Sequence, residues 1–361
     1  MRLLKRLLGG KLGGREDSAP RLEQLSETEI AFVICVEANR LDPQARLLCE
    51  SIRTFGGRYR QAPILAVSPR PGLALGPEAR AHLEALGVTY VVEPLNETGS
   101  SYGTINRIVA GAWAETFSSR PYLVLLDTDT VFVGEPSFVR ADVGVRPVDV
   151  KGSASSGDGD PLDVYWTRLC ALGGIEPSRL PVISTTIDNV PIRASYNGGF
   201  TVVRRDLGIL QRTRDIFFAT FEENLRPLTG MKLDIFASTG SVGLEASEWW
   251  GSSQAALSIA IWSRTSDVYT FDERYNIPLN NLTGPGQSWP LRRGFKPILL
   301  HYHHLAEVQY RAQLRQALKR IRCSSAVIQW IEKRLPLFDH TGSQSNIRAA
   351  ARAAASGRQP W

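Results

Sequence analysis

From about residue 30 to residue 126 the chain alternates short apolar runs with stretches whose apolar residues recur at helical spacing. Residues 30–36 form an apolar run containing valine and isoleucine, and residues 42–55 place Ala45, Leu48, Ile52 and Phe55 three to four positions apart, so a strand leads into a helix. Residues 63–67 read as a second strand, 77–86 as a second helix and 88–92 as a third strand. Residues 104–117 gather Ile105, Ile108, Ala112 and Trp113 on one face, then lead into 122–126, the near-continuous apolar run expected of a strand buried on both faces. The order β-α-β-α-β-α-β predicts an α/β fold, Rossmann-like, with a mostly parallel sheet flanked by helices and a functional crevice at the carboxyl ends of its strands.

Beyond residue 126 the alternation breaks down. Residues 151–163 are small and polar, the composition of an exposed loop and a candidate lid. Residues 196–203 read as a turn feeding a strand, 207–225 and 254–262 as helices, and 297–303 as a late strand. From 305 to 338 the pattern is helical with a basic outer face. These readings divide the chain into a basic N-terminal tail (1–25), one main domain (26–304), a C-terminal helical extension (305–340) and a disordered tail (341–361) rich in Ala, Arg and Ser.

With 361 residues, 43% of them apolar, the chain can bury one large core or two modest ones. No stretch approaches the roughly 20 apolar residues that cross a bilayer, and the first residues lack the apolar core of a secretory signal, so a cytoplasmic location is expected. The four cysteines show no metal-type spacing, which argues against zinc and against a disulfide framework. Charge is unevenly placed. Residues 1–22 hold six Lys/Arg against two acids and residues 311–361 ten against two, so the ends carry +12 and, the total being +6, the middle carries −6. Such a middle does not suit a nucleic-acid backbone, whereas the basic ends could meet an acidic partner or the cytoplasmic face of an anionic membrane. Leu3, Leu4, Leu7 and Leu8 would share one face of an N-terminal helix and could touch that membrane, although so short a segment is marginal as a helix in water.

The chemistry is expected where the run 122–126 ends in Asp127-Thr128-Asp129. Alternation puts Asp127 and Asp129 on one side, and two hard carboxylate ligands projecting together suit Mg²⁺ or Mn²⁺, itself a partner for phosphates. Three of the chain's five histidines fall within residues 301–304 after the late apolar run, where strand period places His301 and His303 on the same side, so at least one is expected to be a ligand. Asn197-Gly198-Gly199 combines backbone freedom with an amide that can donate and accept, as a sugar site or a plain hairpin turn requires.

Taken in order, residues 36–39, Asn106-Arg107, residues 126–130, Asn197-Gly198-Gly199 and His301-Tyr302 resemble the GT-A glycosyltransferases, in particular glycosyltransferase family 8 and its nucleotide-diphospho-sugar relatives. The resemblance spans about residues 30–305. It implies a metal-dependent hexosyltransferase in which Asp127, Asp129 and His301, or alternatively His303, hold Mn²⁺ or Mg²⁺ against the diphosphate of a sugar nucleotide. It further implies that Glu37 and Asn39 contact base and ribose, with Asn39 equally suited to cap a helix, that Arg107 lies near the donor phosphates, that Asn106 and Thr128 contact the nucleotide sugar, and that Asn197, Gly198 and Gly199 meet the sugar. Imidazole ligation tilts the metal toward Mn²⁺.

Family 8 carries an aspartate before the glutamine corresponding to Gln254, and Ser253 stands there instead, which leaves the stereochemical course open. If the reaction inverts, Glu245 or Glu248 could be the general base; Trp249 and Trp250 could stack on a sugar or simply pack. The partners implied are a nucleotide-diphosphate sugar and an acceptor of unspecified class: glycan, lipid, protein or small molecule. Two other readings compete. One is a nucleotide-sugar-binding scaffold without turnover. The other is a haloacid-dehalogenase-type phosphatase with Asp127 as nucleophile, Asp129 as acid/base and Gly157-Asp158 with Asp163 imitating its late acidic motif, a reading opposed by the three strands that precede the aspartates and by the polar run, not an apolar strand, ahead of Asp158.

Overall fold

The structure is a computed structural model, and it describes residues 23–335 except 234 and 285. The N-terminal leucine face and the Ala/Arg/Ser tail expected over 341–361 lie outside the described residues. The elements run β1 (Ile30–Cys35), α1 (Leu41–Phe55), β2 (Ile64–Ser68), α2 (Pro77–Ala85), β3 (Val88–Val92), α3 (Thr104–Phe117), β4 (Tyr122–Leu126), β5 (Thr130–Phe132), β6 (Val143–Pro147), α4 (Asp163–Leu172), β7 (Val182–Ser184) and β8 (Pro191–Arg193). They continue through β9 (Tyr196–Arg204), α5 (Ile209–Glu222), β10 (Ile235–Ala237), β11 (Gly240–Val242), α6 (Leu244–Glu248), α7 (Ser252–Arg264), β12 (Val268–Thr270), β13 (Ile277–Pro278), β14 (Leu299–His301), α8 (Arg311–Arg320) and α9 (Ser325–Arg334).

The apolar runs of the first third become the parallel half of a seven-stranded sheet ordered β12-β6-β9-β4-β1-β2-β3. β1 pairs in parallel with both β2 and β4, and β2 with β3, as helix crossovers between neighbouring strands produce. β9 alone runs against its neighbours, antiparallel to β4 and to β6. Strand period sends alternate residues to opposite faces: Val33, Leu123 and Leu125 join the helices α3, α5 and α7 in one cluster, while Phe32, Ile34, Val124 and Leu126 join α1 and α2 in another. Truncating a side chain such as Leu126 to alanine should cost about 2–5 kcal/mol by leaving a cavity.

A third cluster gathers Ile277, Leu300 and Tyr302 with Leu314, Leu318, Ile328 and Ile331, so α8 and α9 share a core with the small β13-β14-β5 sheet. The antiparallel direction of β9 matters most for function. Its first residues, not its last, lie beside the carboxyl ends of β4 and β6: Leu126 faces Phe200, and Pro147 faces Tyr196. No helix among the described residues is long and apolar enough to cross a membrane.

Candidate metal and donor site

Asp127 and Asp129 are gathered by a turn. β4 ends at Leu126, Thr130 N donates to Asp127 O at 3.2 Å, and β5 begins at Thr130. Strand alternation is therefore not what aligns the two carboxylates. The turn is fixed from three sides: Asp127 N donates to Gly199 O at 3.1 Å, Tyr302 N donates to Asp129 O at 3.0 Å, and Thr128 Oγ1 donates to Gln44 Oε1 of α1 at 3.1 Å.

Antiparallel pairing of β14 with β5 sets His301 opposite Thr130 and brings its imidazole to the turn. His301 Nε2 lies 3.1 Å from Asp129 Oδ1, while its buried Nδ1 has no partner. Asp127, Asp129 and His301 each offer a ligand atom within 4.8 Å of the others, and among the described residues they form the group able to hold a metal ion. Two carboxylate oxygens and one imidazole nitrogen, one ligand atom from each residue, fit a divalent cation of the Mg²⁺/Mn²⁺ kind. Burial alone would raise the Asp129 carboxyl, but the His301 imidazole beside it holds it well below the usual carboxylate range, with Ser238 adding a hydrogen bond. Burial pulls His301 the other way, and the nearby carboxylates of Asp129, Asp127 and Asp149 raise it above its ordinary value.

His303 does not extend the strand. Its φ of 51° is left-handed and it opens a short 3-10 turn over His303–Ala306. Its ring nonetheless stacks on His301 with centroids 3.7 Å apart, and burial drops its pKa to about 3, so it is a neutral support for the His301 ring.

Arg107 projects from α3 onto the same turn, and one guanidinium nitrogen reaches both Asp127 oxygens, at 2.7 and 2.8 Å. Its other nitrogen donates to Ser253 Oγ at 3.3 Å, and Tyr102 OH donates to the same hydroxyl at 3.3 Å. A hydroxyl at 253 cannot neutralise the guanidinium, so Asp127 is its counter-charge.

Asn197, Gly198 and Gly199 lie inside β9 rather than in a turn, and neither glycine has positive φ. What they supply is room. A Cβ on Gly198 would fall 2.4 Å from Arg107 Nη2, and one on Gly199 would fall 2.7 Å from His301 Cε1 and 3.0 Å from Asp127 Oδ2. Asn197 Oδ1 accepts from Gly199 N at 2.9 Å, which fixes the amide.

At the end of β1, Glu37 is buried and accepts from Arg70 at 2.8 and 2.5 Å and from Asn106 Nδ2 at 3.3 Å. Glu37 and Asn106 are thus brought together, with Arg70 as a partner that nothing in the sequence pattern marked. Asn39 sits just ahead of α1 with φ of 73°, a conformation asparagine tolerates better than most residues. Gln254 follows Ser253 in the first turn of α7. Glu248 is not drawn to this group: its oxygens take Arg226 Nη1 at 2.7 Å and Gly230 N at 2.8 Å, contacts that hold its pKa down. Trp249 is buried against Phe217 and Phe221 and is core.

Asp149, which no motif announced, lies two residues past β6. Asn197 Nδ2 donates to its Oδ2 at 3.3 Å and Thr186 Oγ1 to its Oδ1 at 3.2 Å. Burial pushes its pKa up to about 6, against the pull of His301. The 151–163 loop is tied down by Asp160, which accepts from Ser156 N and Leu162 N at 2.8 and 2.9 Å and pairs with Lys151 at 2.9 Å. Asp163 pairs with Arg193 at 2.8 Å while Asp158 stands in solvent, so neither accompanies Asp127 as a phosphatase acid would.

No curated protein matches the chain. A family model described as a Rhodobacterales glycosyltransferase domain matches residues 32–237, from β1 through β10, and so takes in both aspartates, Arg107 and the Asn197-Gly198-Gly199 segment. The chain belongs to that family of glycosyltransferases.

Proposed function

We propose that the protein transfers a hexose from a nucleotide-diphosphate sugar to an acceptor hydroxyl in a metal-dependent reaction. The observation that carries this reading is the Asp127, Asp129 and His301 group with Arg107 beside it at the carboxyl end of β4, in a chain of glycosyltransferase family. Asp127, Asp129 and His301 would hold Mn²⁺ or Mg²⁺, which when bound offsets the negative charge that builds on the departing diphosphate. Arg107, permanently charged and partly buried, is placed to share that charge through hydrogen bonds to phosphate oxygens.

Glu37, held rigid by Arg70, offers carboxylate oxygens to a base or ribose hydroxyl, with Asn39 and Asn106 alongside. Thr128 fixes the turn, and Asn197 and Gln254 supply amides for sugar hydroxyls. Gly198 and Gly199 keep Arg107 and His301 close to that space. Asp149, rather than Glu248, is the carboxylate whose surroundings suit taking a proton from an acceptor hydroxyl near neutral pH.

The test is thermal stability against a panel of nucleoside diphosphates and their sugars, with and without Mn²⁺. The reading expects a stabilisation that needs both nucleotide and metal, and is wrong if no nucleotide produces one. Ser253, where family 8 carries an aspartate, favours a second reading as a nucleotide-sugar-binding scaffold. Metal-dependent stabilisation without release of nucleotide from any donor sugar would select it.

A further inference from the structure

A cavity on the other side of Asp149 belongs to none of the groups above. The turn between β7 and β8 is fastened to the segment that follows β6: Thr186 N donates to Val148 O at 3.1 Å, Ile187 N to Asp149 O at 2.8 Å, and Lys151 N to Asp188 Oδ2 at 3.1 Å. Ile187 packs on the cluster that β13 and β14 share with the C-terminal helices. Between this turn, Asn281 and residues 286–290 lies a cavity of about 470 Å³, lined by Thr186, Asn189, Asn281, Gln287, Ser288 and Trp289 among others. One of its lining residues, Thr186, is tied to the donor site by hydrogen bonds. Thr186 holds Asp149, Asp149 holds Asn197, Asn197 holds Gly199, and Pro278, three residues before Asn281, pairs with His301.

The chemistry of the walls selects a ligand. None of the described lining residues carries a charge, so an anionic acceptor would find no cation. Among the described lining residues the large apolar ones are Ile187, Trp289 and Pro290, and Trp289 is 5% exposed with its indole N–H given to Glu273 O at 2.8 Å, a small apolar surface for an acyl chain. What remains are amides and hydroxyls, groups that donate and accept at once, as sugar hydroxyls do. The volume lies within the roughly 300–1,000 Å³ usual for small-ligand sites.

We propose that this cavity is the acceptor site and that it binds a neutral saccharide through the amides of Asn189, Asn281 and Gln287, an assignment that rests on the transferase reading. The saccharide hydroxyls replace water on these amides, with the reacting end toward Asp149. A lipid-linked or acidic acceptor would need walls this cavity lacks.

Saturation-transfer NMR on the full chain tests it, with maltotriose, cellobiose, lactose and chitobiose as neutral probes, trigalacturonic acid as the acidic one and phosphatidylcholine vesicles as the lipid one. Two variants accompany the native chain: Asn281→Ala, and Asn189→Gly, which removes the amide while keeping the left-handed φ of 52° within reach. At least one neutral saccharide should bind the native chain and lose about three- to tenfold in affinity in each variant. Absence of neutral binding, affinity unchanged in both variants, or preference for trigalacturonate or vesicles would overturn the proposal. Mn²⁺-dependent nucleotide stabilisation is read in parallel. Its persistence in the variants shows that they are folded, and its absence from the native chain would remove the transferase reading independently of the saccharide result.

Discussion

The two sides of Asp149 differ in how they handle charge. Toward the donor site, charges stand in pairs that are wholly or partly out of solvent: Glu37, buried, with the half-exposed Arg70 at 2.5 Å, Arg107 with Asp127 at 2.7 Å, both partly buried, and the buried His301 with Asp129 at 3.1 Å. Toward Asn281 and residues 286–290 the described cavity walls are neutral amides, hydroxyls and rings. Buried charges left unpaired are costly, so a site built for a charged ligand keeps internal counter-charges until that ligand arrives. A site for a neutral, hydroxyl-rich ligand needs only groups that exchange hydrogen bonds with water. The contrast explains why the charged side leaves recognisable motifs in the sequence and the neutral side leaves none.

The sharpest way to break the charged side is Asp129→Ala. It removes a metal ligand and strands the buried His301, and should lower turnover on the order of a hundred- to a thousandfold. Nucleotide stabilisation by Mn²⁺ should vanish while the melting transition stays cooperative; retained metal dependence would move the metal site elsewhere. A smaller effect is expected from Gly198→Ala, whose new Cβ would meet the Arg107 guanidinium at 2.4 Å from Nη2. Nucleotide affinity, measured by calorimetry, should fall about tenfold, or about 1.4 kcal/mol, and an unchanged affinity would mean that Arg107 does not reach the donor.

The boundary between the two sides is probed by Asp149→Asn. With Asp149 pushed up to about 6, the native rate should fall as pH drops through that value, and the variant should be slow but lack this acid limb. Stability moves in the opposite sense. The folded chain binds the Asp149 proton more tightly than the unfolded chain, so this group's contribution to stability is fully present below about pH 4 and is lost as pH rises through 6. The variant should therefore melt higher than the native chain at pH 7.5, with a gap that narrows toward pH 4.5. A gap independent of pH would sink the assignment of that pKa to Asp149.

Where local periodicity governs, the sequence was a sufficient guide. The alternation through residue 126 appears as β1 to β4 with α1 to α3, and the apolar run 122–126 is a central strand ending at the aspartates. Strand period failed where the backbone turned. Asp127 to Thr130 is a turn, His303 opens a 3-10 turn instead of continuing β14, and Asn197 to Gly199 is strand instead of turn, because pairing with β4 over residues 200–204 holds the segment extended.

The sequence by itself determined the residues that carry charge chemistry and the α/β alternation that places Asp127 at a strand's end, because carboxylates after an apolar run and periodic helices are local signals. Only the tertiary structure decided the partners. Arg70 meets Glu37 because β1 and β2 pair in parallel, and Arg107 reaches Asp127 from α3, whereas the settings of Asp149 and His301 depend on β9 running antiparallel and on β14 reaching back across about 170 residues to β5. Such pairings are fixed by which backbone edges remain open for hydrogen bonding once the parallel half of the sheet has formed, a property no stretch of sequence holds alone.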